Sequence, residues 1–127
     1  MKLFTKTTLA VAGISLASMA FAADPLANTT WQTFDEGKPK GTVKITESNG
    51  VLTGTLVAAN TAKGKQYVGT TVIKGLKADG NGKYSGGTIT DPAKGKDYRM
   101  TANLNGNTLN IKGYIGPFSR SQTWKKK

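Results

Sequence analysis

The amino-acid sequence predicts an all-β protein, a small up-and-down antiparallel barrel of about eight strands. From position 31 onward, short segments alternate polar and apolar residues, which is the pattern of half-buried strands. Gly, Asn and Asp separate these segments at hairpin spacing, and no segment has a convincing helical periodicity. A meander of short strands buries little apolar surface until it curls and closes, so a closed barrel is the simplest arrangement.

The first half of the chain contains several clear strand and turn signals. Residues 42–47 alternate between polar and apolar side chains, and Asn49-Gly50 is a strong hairpin signal. Residues 67–73 are rich in β-branched and aromatic side chains, which favours a strand there as well. The expected strands in this half are residues 31–34, 42–47, 51–57 and 67–73.

The second half continues the pattern. Residues 98–104 alternate most cleanly, with Tyr98 and Met100 on the inward side. Gly86-Gly87 lacks side chains, which indicates a bulge or sharp bend of the kind that helps to close a barrel. The expected strands here are residues 84–90, residues 98–104, the segment around Leu109 and Ile111, and residues 122–124, with turns at residues 79–82, 91–96 and 105–107.

The N-terminus has the features of a signal peptide. Two lysines precede an apolar run over residues 9–20, which is too short to span a bilayer as a helix. Ala20-Phe21-Ala22 then matches the small-x-small pattern that a signal peptidase cleaves. We therefore expect residues 1–22 to be removed, leaving residues 23–127 as a single β-barrel domain with a short basic C-terminal tail.

Export determines the expected location of the mature protein. No Cys follows the apolar run, so the sequence offers no attachment site for a bacterial lipid anchor. We expect a soluble periplasmic protein after Sec-type export, without a transmembrane segment in the mature chain, and secretion is the alternative. The sequence leaves the oligomeric state open.

The charge is strongly positive. The full chain carries +11, and removal of residues 1–22 takes away two lysines and no acidic residue, leaving +9. Such a balance suits anionic envelope components as partners, whereas export removes the protein from most nucleic acid. A five-stranded oligonucleotide-binding barrel also fits the size and charge, but its stacking aromatics would cluster on one face, and here they are dispersed. The simplest alternative is that the lysines only keep a small barrel soluble.

The sequence contains few residues that could act in catalysis or bind a metal ion. The chain has neither Cys nor His, so it cannot form a Ser–His or Cys–His pair or a zinc site of the Cys/His kind. Acidic residues such as Asp35, Asp79 and Asp91 occupy turn positions, where a carboxylate accepts backbone hydrogen bonds. Asp79-x-Asn81-Gly82 lacks the later Glu of a calcium loop. We expect no catalytic residue, no metal site and no cofactor.

A set of motif residues recurs along the strands and turns, and we interpret these residues as structural: Trp31, Gly86, Gly87, Asp91, Pro92, Gly113, Tyr114, Gly116, Arg120, Gln122 and Trp124. In their order and spacing, these motifs resemble the DUF2147 family of exported bacterial proteins, whose members look like small lipocalin-type barrels. The resemblance runs from residue 24 to residue 124 and implies a lipocalin-like fold, but it brings no activity.

The two tryptophans mark the first and last strands, which are neighbours in a closed barrel. By analogy with lipocalin-like folds, Arg120 is predicted to lie over Trp31 as a cation–π lid at the closed end.

Ligand-binding candidates come from the inward side and the rim. Inward aromatics would contact an apolar tail, with Gly54, Gly69 and Gly86 leaving room for it, and basic residues near the rim would meet an anionic head group. Plain core packing is the alternative for the aromatics, since a barrel this small can be filled by its own side chains. The candidates are Tyr98, Met100, Tyr67, Tyr84, Lys65, Lys96 and Arg99.

Two functional hypotheses follow. The first is a non-enzymatic exported barrel that binds a small amphiphilic or anionic ligand. The alternative is a cell-envelope interaction protein that docks on an anionic polymer or a protein partner through its basic surface, with binding that weakens as salt rises.

Overall fold

A computed structural model describes residues 24–127, and the predicted signal peptide lies outside this range. Eight antiparallel strands follow one another around a closed barrel in chain order, which confirms the predicted fold class. The elements are β1 Thr29–Asp35, β2 Lys38–Ser48, β3 Val51–Ala59, α1 Ala62–Lys65, β4 Thr71–Gly80, β5 Lys83–Asp91, β6 Lys96–Asn105, β7 Thr108–Ile115 and β8 Phe118–Lys126.

The connection between β3 and β4 differs from the sequence prediction. The strand predicted over residues 67–73 is wrong in its first part, because Tyr67 and Val68 belong to a turn. Their amide groups donate to the carbonyls of Gly64 and Lys65, at 3.0 and 3.2 Å, so they are not available to a strand ladder. The preceding helix α1, also not predicted, is capped by Thr61.

The Asn-Gly hairpin and the glycine bulge were predicted correctly. Asn49 and Gly50 both have positive φ, of 54° and 81°, as the tight turn between β2 and β3 requires. Gly86 has φ of 77° at an irregularity in the pairing of β5 with β6. The bulge bends β5 while Gly87 returns to the inward face.

The connections lie at two ends of the barrel. We call one the closed end, because the N-terminal segment 24–28 covers it beside the turns at residues 49–50, 81–82 and 106–107. We call the other the open end. It carries the turns at residues 36–37, 92–95 and 116–117 and the loop at residues 60–70.

The N-terminal segment forms a plug at the closed end. Leu26 is fully buried in the core, and the Asn28 amide donates to the Ile45 carbonyl at 2.7 Å. The Asp24 carboxylate accepts the Leu26 amide at 2.8 Å and the Tyr84 hydroxyl at 2.5 Å. The segment immediately after the predicted cleavage site is therefore an integral part of the fold.

The contact between the plug and Tyr84 predicts a loss of stability at high pH. Burial, followed by the hydrogen bond to Asp24 and the charges of Asp24 and Glu47, raises the pKa of the Tyr84 phenol above its ordinary value of 10.0. Because the folded state holds this proton more tightly, the contribution is complete below pH 10.0 and is lost as pH rises further. Tyr84→Phe should lower the unfolding free energy by about 1–3 kcal/mol at neutral pH. Its stability should then fall less steeply than the wild type's above pH 10.0, as measured by urea unfolding from pH 7 to 11. Equal slopes in the two proteins would contradict this assignment.

Apolar side chains fill the interior from the closed end to about the middle of the barrel. Trp31, Trp124 and Leu109 are buried among residues from β2, β3, β4 and β6. Glycines in this region sit in tight contact. A Cβ on Gly54 would lie 3.0 Å from Ile73 Cβ, and one on Gly87 would lie 2.9 Å from Leu76 Cδ1. Neither glycine leaves a void, because neighbouring side chains have taken the space.

A short seam between β1 and β8 closes the barrel. Only two residue pairs join these strands, Trp31 with Lys126 and Gln32 with Lys125, against eight pairs between β7 and β8. The lysines predicted as a tail thus belong largely to the closing strand. Arg120 lies opposite Gly113, six residues along β8 from Lys126. At about 3.3 Å per residue it is too far away to cover Trp31, so the predicted lid is wrong.

Candidate ligand site at the open end

The interior is packed less tightly at Gly113 on β7 than at Gly54 and Gly87. Gly113 follows Leu109 and Ile111 on the inward face, yet a Cβ there would meet nothing closer than Ile89 Cγ2 at 3.8 Å. That is an ordinary van der Waals distance, in contrast to the tight contacts at Gly54 and Gly87. One additional carbon atom would therefore fit beside Gly113 without displacing a neighbouring side chain.

The strand register defines the walls around this space. Gly113 is opposite Met100 on β6 and Arg120 on β8. Met100 is buried and forms the floor, whereas Tyr98, two residues nearer the open end on the same face, is half-buried and opposite Ile89. We call Gly113, Ile89, Tyr98 and Arg120 the mouth cluster. It combines apolar walls with one exposed guanidinium.

A second cation follows along β6. Lys96 is on the same face as Tyr98, at the open end, and is exposed. It lies opposite Asp91, whose Oδ1 accepts the amide of Ala93 at 3.0 Å and that of Lys94 at 3.3 Å. Asp91 thus stabilises the turn, as its position before Pro92 predicted, and Lys96 adds positive charge to the entrance.

The structure brings only some of the predicted ligand residues to this cluster. Tyr98 lines it, and Met100 forms its floor. Tyr84 is buried at the closed end, in contact with Asp24. Tyr67 and Lys65 belong to the loop between β3 and β4, where Tyr67 is half-buried and Lys65 is exposed.

Arg99 is on the outer face of β6. Its guanidinium stacks on the Tyr114 ring, 5.5 Å from the centroid, and the Tyr114 hydroxyl lies 3.3 Å from Thr101 Oγ1. Arg99 and Tyr114 are thus separated from Tyr98 by the sheet. A Cβ on Gly69 would meet nothing within 4 Å, and one on Gly86 would meet the Gly75 carbonyl oxygen at 4.0 Å. Both glycines are exposed, so they provide no interior room.

The motif residues on β8 share the inward face. Trp124 is buried, and every second residue from it toward the open end, Gln122 and then Arg120, lies on the same face of β8. The Trp124 indole N–H donates to Gln122 Oε1 at 3.0 Å. Gly116 sits in the turn before β8, with φ of 58°. Sequence reasoning missed that Arg120 belongs to the mouth. The same alternation, extended from Trp124, was the signal that would have placed it there.

Within residues 24–127 no group of three or more acidic side chains is placed to hold a metal ion. No helix in this part of the chain has the length and apolar character needed to cross a bilayer.

The barrel with a plugged end and an open end is of the lipocalin-like class. A similar solved structure is protein HP1028 from the human pathogen Helicobacter pylori, described as belonging to the lipocalin family. The TM-score is 0.63 at 20% sequence identity, with 79% of this chain and 82% of that chain covered. At this identity the likeness establishes the fold alone.

The sequence itself identifies the family. Residues 29–126 match DUF2147, described as an uncharacterized protein conserved in bacteria, and the chain belongs to this family. None of the curated proteins matches it. The predicted resemblance is confirmed.

Proposed function

We propose that this protein is an exported, non-catalytic bacterial barrel that binds a small amphiphilic anion at its open end. The observation that carries the proposal is the space beside Gly113, bordered by Ile89 and Tyr98 and adjacent to Arg120. Barrel mouths with apolar walls and a few placed polar groups are common ligand sites. The predicted N-terminal signal peptide supports a periplasmic location, with secretion as the alternative.

The depth of the interior limits the ligand. Met100 is 2% exposed and lies opposite Gly87, where Leu76 already fills the adjacent space. A ligand tail would therefore occupy the upper interior and the entrance instead of running through the barrel.

The charges favour an anionic head group. Arg120 offers a planar fork of N–H donors that matches a carboxylate or a phosphate, and Lys96 adds a second cation at the same end. Both side chains are exposed, so an anion can reach them without breaking a buried ion pair.

A steric block tests the proposed site. We expect a dansyl-labelled undecanoate to bind the wild-type mature chain saturably, and Gly113→Leu to lower its affinity at least tenfold, because the leucine side chain would fill the space. Ser121→Leu is the matched control. It adds the same side chain at an exposed position on the outer face of β8, directly before Gln122, and should leave affinity unchanged.

The outcomes separate the two functional hypotheses. Absence of saturable binding, or equal affinities in the two leucine variants, would contradict a site at the mouth. Binding that is insensitive to Gly113→Leu but disappears as salt rises would favour the alternative, an envelope protein docking through its basic surface.

A further inference from the structure

Exposed apolar side chains in the described part of the chain gather at the open end. The four large hydrophobic residues with substantial exposure are Val57 at 44%, Val68 at 44%, Ile115 at 41% and Phe118 at 73%. Each belongs to a connection at the open end or to a strand end next to it. We call these four residues the apolar rim. Single exposed hydrophobics are ordinary, but their restriction to one end of a barrel is informative.

The apolar rim projects from two places around the mouth. Ile115 and Phe118 are paired at the tip of the β7–β8 hairpin, beside the turn at residues 116–117. Val57 and Val68 belong to the end of β3 and the loop that follows it. Because the strands run in order around the barrel, these two connections are on opposite sides of the mouth. The apolar groups are thus separate projections, not one continuous patch.

Basic side chains accompany the apolar rim. Acidic residues are also present at this end. Asp35 and Glu36 are exposed at the β1–β2 turn, and Asp91 and Asp97 accept hydrogen bonds from neighbouring residues at the β5–β6 turn. The exposed cations outnumber these four carboxylates. The exposed cations of the open end are Lys38, Lys40, Lys63, Lys65, Lys94, Lys96 and Arg120.

We propose that the open end docks on the surface of an anionic phospholipid bilayer, with the apolar rim entering the interface and the surrounding lysines contacting lipid phosphates. Apolar groups that insert shallowly, together with cations that attract an anionic head-group layer, are the two components of interfacial binding. This inference goes beyond the proposed function, since it rests on the apolar rim and the lysines around it and does not need a ligand beside Gly113.

The composition of the rim favours a lipid surface over a protein partner. Protein interfaces are depleted in lysine and centred on a continuous apolar core. Here lysines are the commonest charged residues, and the apolar groups stand apart on two connections. A fluid interface can accommodate separate projections, and long lysine side chains can reach its phosphates while their stems remain in apolar contact.

Vesicle co-sedimentation of the mature chain tests the proposal. We expect binding to vesicles of phosphatidylcholine with phosphatidylglycerol, and at least tenfold weaker partitioning to phosphatidylcholine alone. The double variant Phe118→Ser/Val68→Ser should lose at least tenfold in partitioning to the anionic vesicles. Lys63→Gln/Lys65→Gln should weaken it and reduce its salt dependence. All four side chains are exposed, so the variants should remain folded by circular dichroism.

A charge-matched control comes from the closed end. Lys83→Gln/Lys125→Gln removes two exposed cations there and should leave partitioning within twofold of the wild type. Equal losses in the two lysine pairs, or full binding by the serine variant, would overturn the proposal. The proposal would also be overturned if the protein bound a soluble polyanion as strongly as it binds the vesicles and the serine substitutions did not weaken that binding. Titration of the same variants with the dansyl probe, without vesicles, measures ligand binding at the mouth separately. Loss of vesicle binding with unchanged probe affinity would concern the docking surface alone.

Discussion

Replacement of Trp31 by alanine is expected to lower the unfolding free energy by about 3–5 kcal/mol, the usual cost of removing a large buried aromatic side chain. Trp31 has no solvent exposure and stands on the strand that closes the barrel. Its indole N–H donates to Thr29 Oγ1 at 2.7 Å, and that hydroxyl donates to the Leu26 carbonyl at 2.5 Å. The substitution should therefore loosen both the core and the N-terminal plug.

Urea unfolding followed by circular dichroism measures this effect. The matched control is Phe118→Ala, which removes an aromatic ring that is 73% exposed and should change stability by less than about 0.5 kcal/mol. Similar losses in the two variants would show that Trp31 does not contribute as the packing indicates. If Trp31→Ala fails to fold, Trp31→Phe should fold with an intermediate loss.

Replacement of Arg120 by glutamine is expected to reduce affinity for an anionic amphiphile by about tenfold to a hundredfold, the equivalent of one charged hydrogen-bonding contact. Arg120 is exposed, and strand alternation places it on the inward face opposite Gly113. Glutamine retains hydrogen-bonding groups and much of the side-chain length but removes the charge. Isothermal titration with dodecyl phosphate measures the loss.

Arg99→Gln provides the control for net charge. It removes the same charge from the outer face of the neighbouring strand, where the guanidinium stacks on Tyr114. Affinity for dodecyl phosphate should stay within about twofold of the wild type. Arg99 lies on the outer face of the sheet, so physiological salt partly screens its charge from an anion that is bound at the mouth. Equal losses in Arg99→Gln and Arg120→Gln would mean that general attraction, and not a placed contact, holds the anion.

Local sequence patterns were sufficient to predict the barrel. Alternation in residues 42–47 and 98–104, Asn49-Gly50 and the Gly86-Gly87 bulge each express a short-range requirement of strand geometry. The error at residues 67–70 has the same origin. Tyr67 and Val68 have strand-forming side chains, but their amides bond within the turn after α1, and propensity alone does not show which hydrogen bonds form.

The candidate site was harder to predict because it depends on contacts between distant strands. Gly54 and Gly113 are both inward glycines, yet Ile73 and Val43 fill the space at Gly54, while only Ile89 approaches Gly113. This difference depends on the register of neighbouring strands, which a single sequence does not specify. The sequence analysis interpreted Arg120 as a structural residue, and the analogy with a closed-end lid placed it at the wrong end of the barrel.

Nuclear magnetic resonance titration of the isotope-labelled mature chain with dodecyl phosphate tests the central claim most directly. We expect saturable shift changes centred on the amides of Ile89, Tyr98, Gly113 and Arg120, with little change at the closed end around Leu26 and Tyr84. Dodecanol, which lacks the anionic group, should produce weaker changes at the same amides. Saturable changes centred on the closed end, or none at the four mouth residues, would contradict a ligand site at the open end.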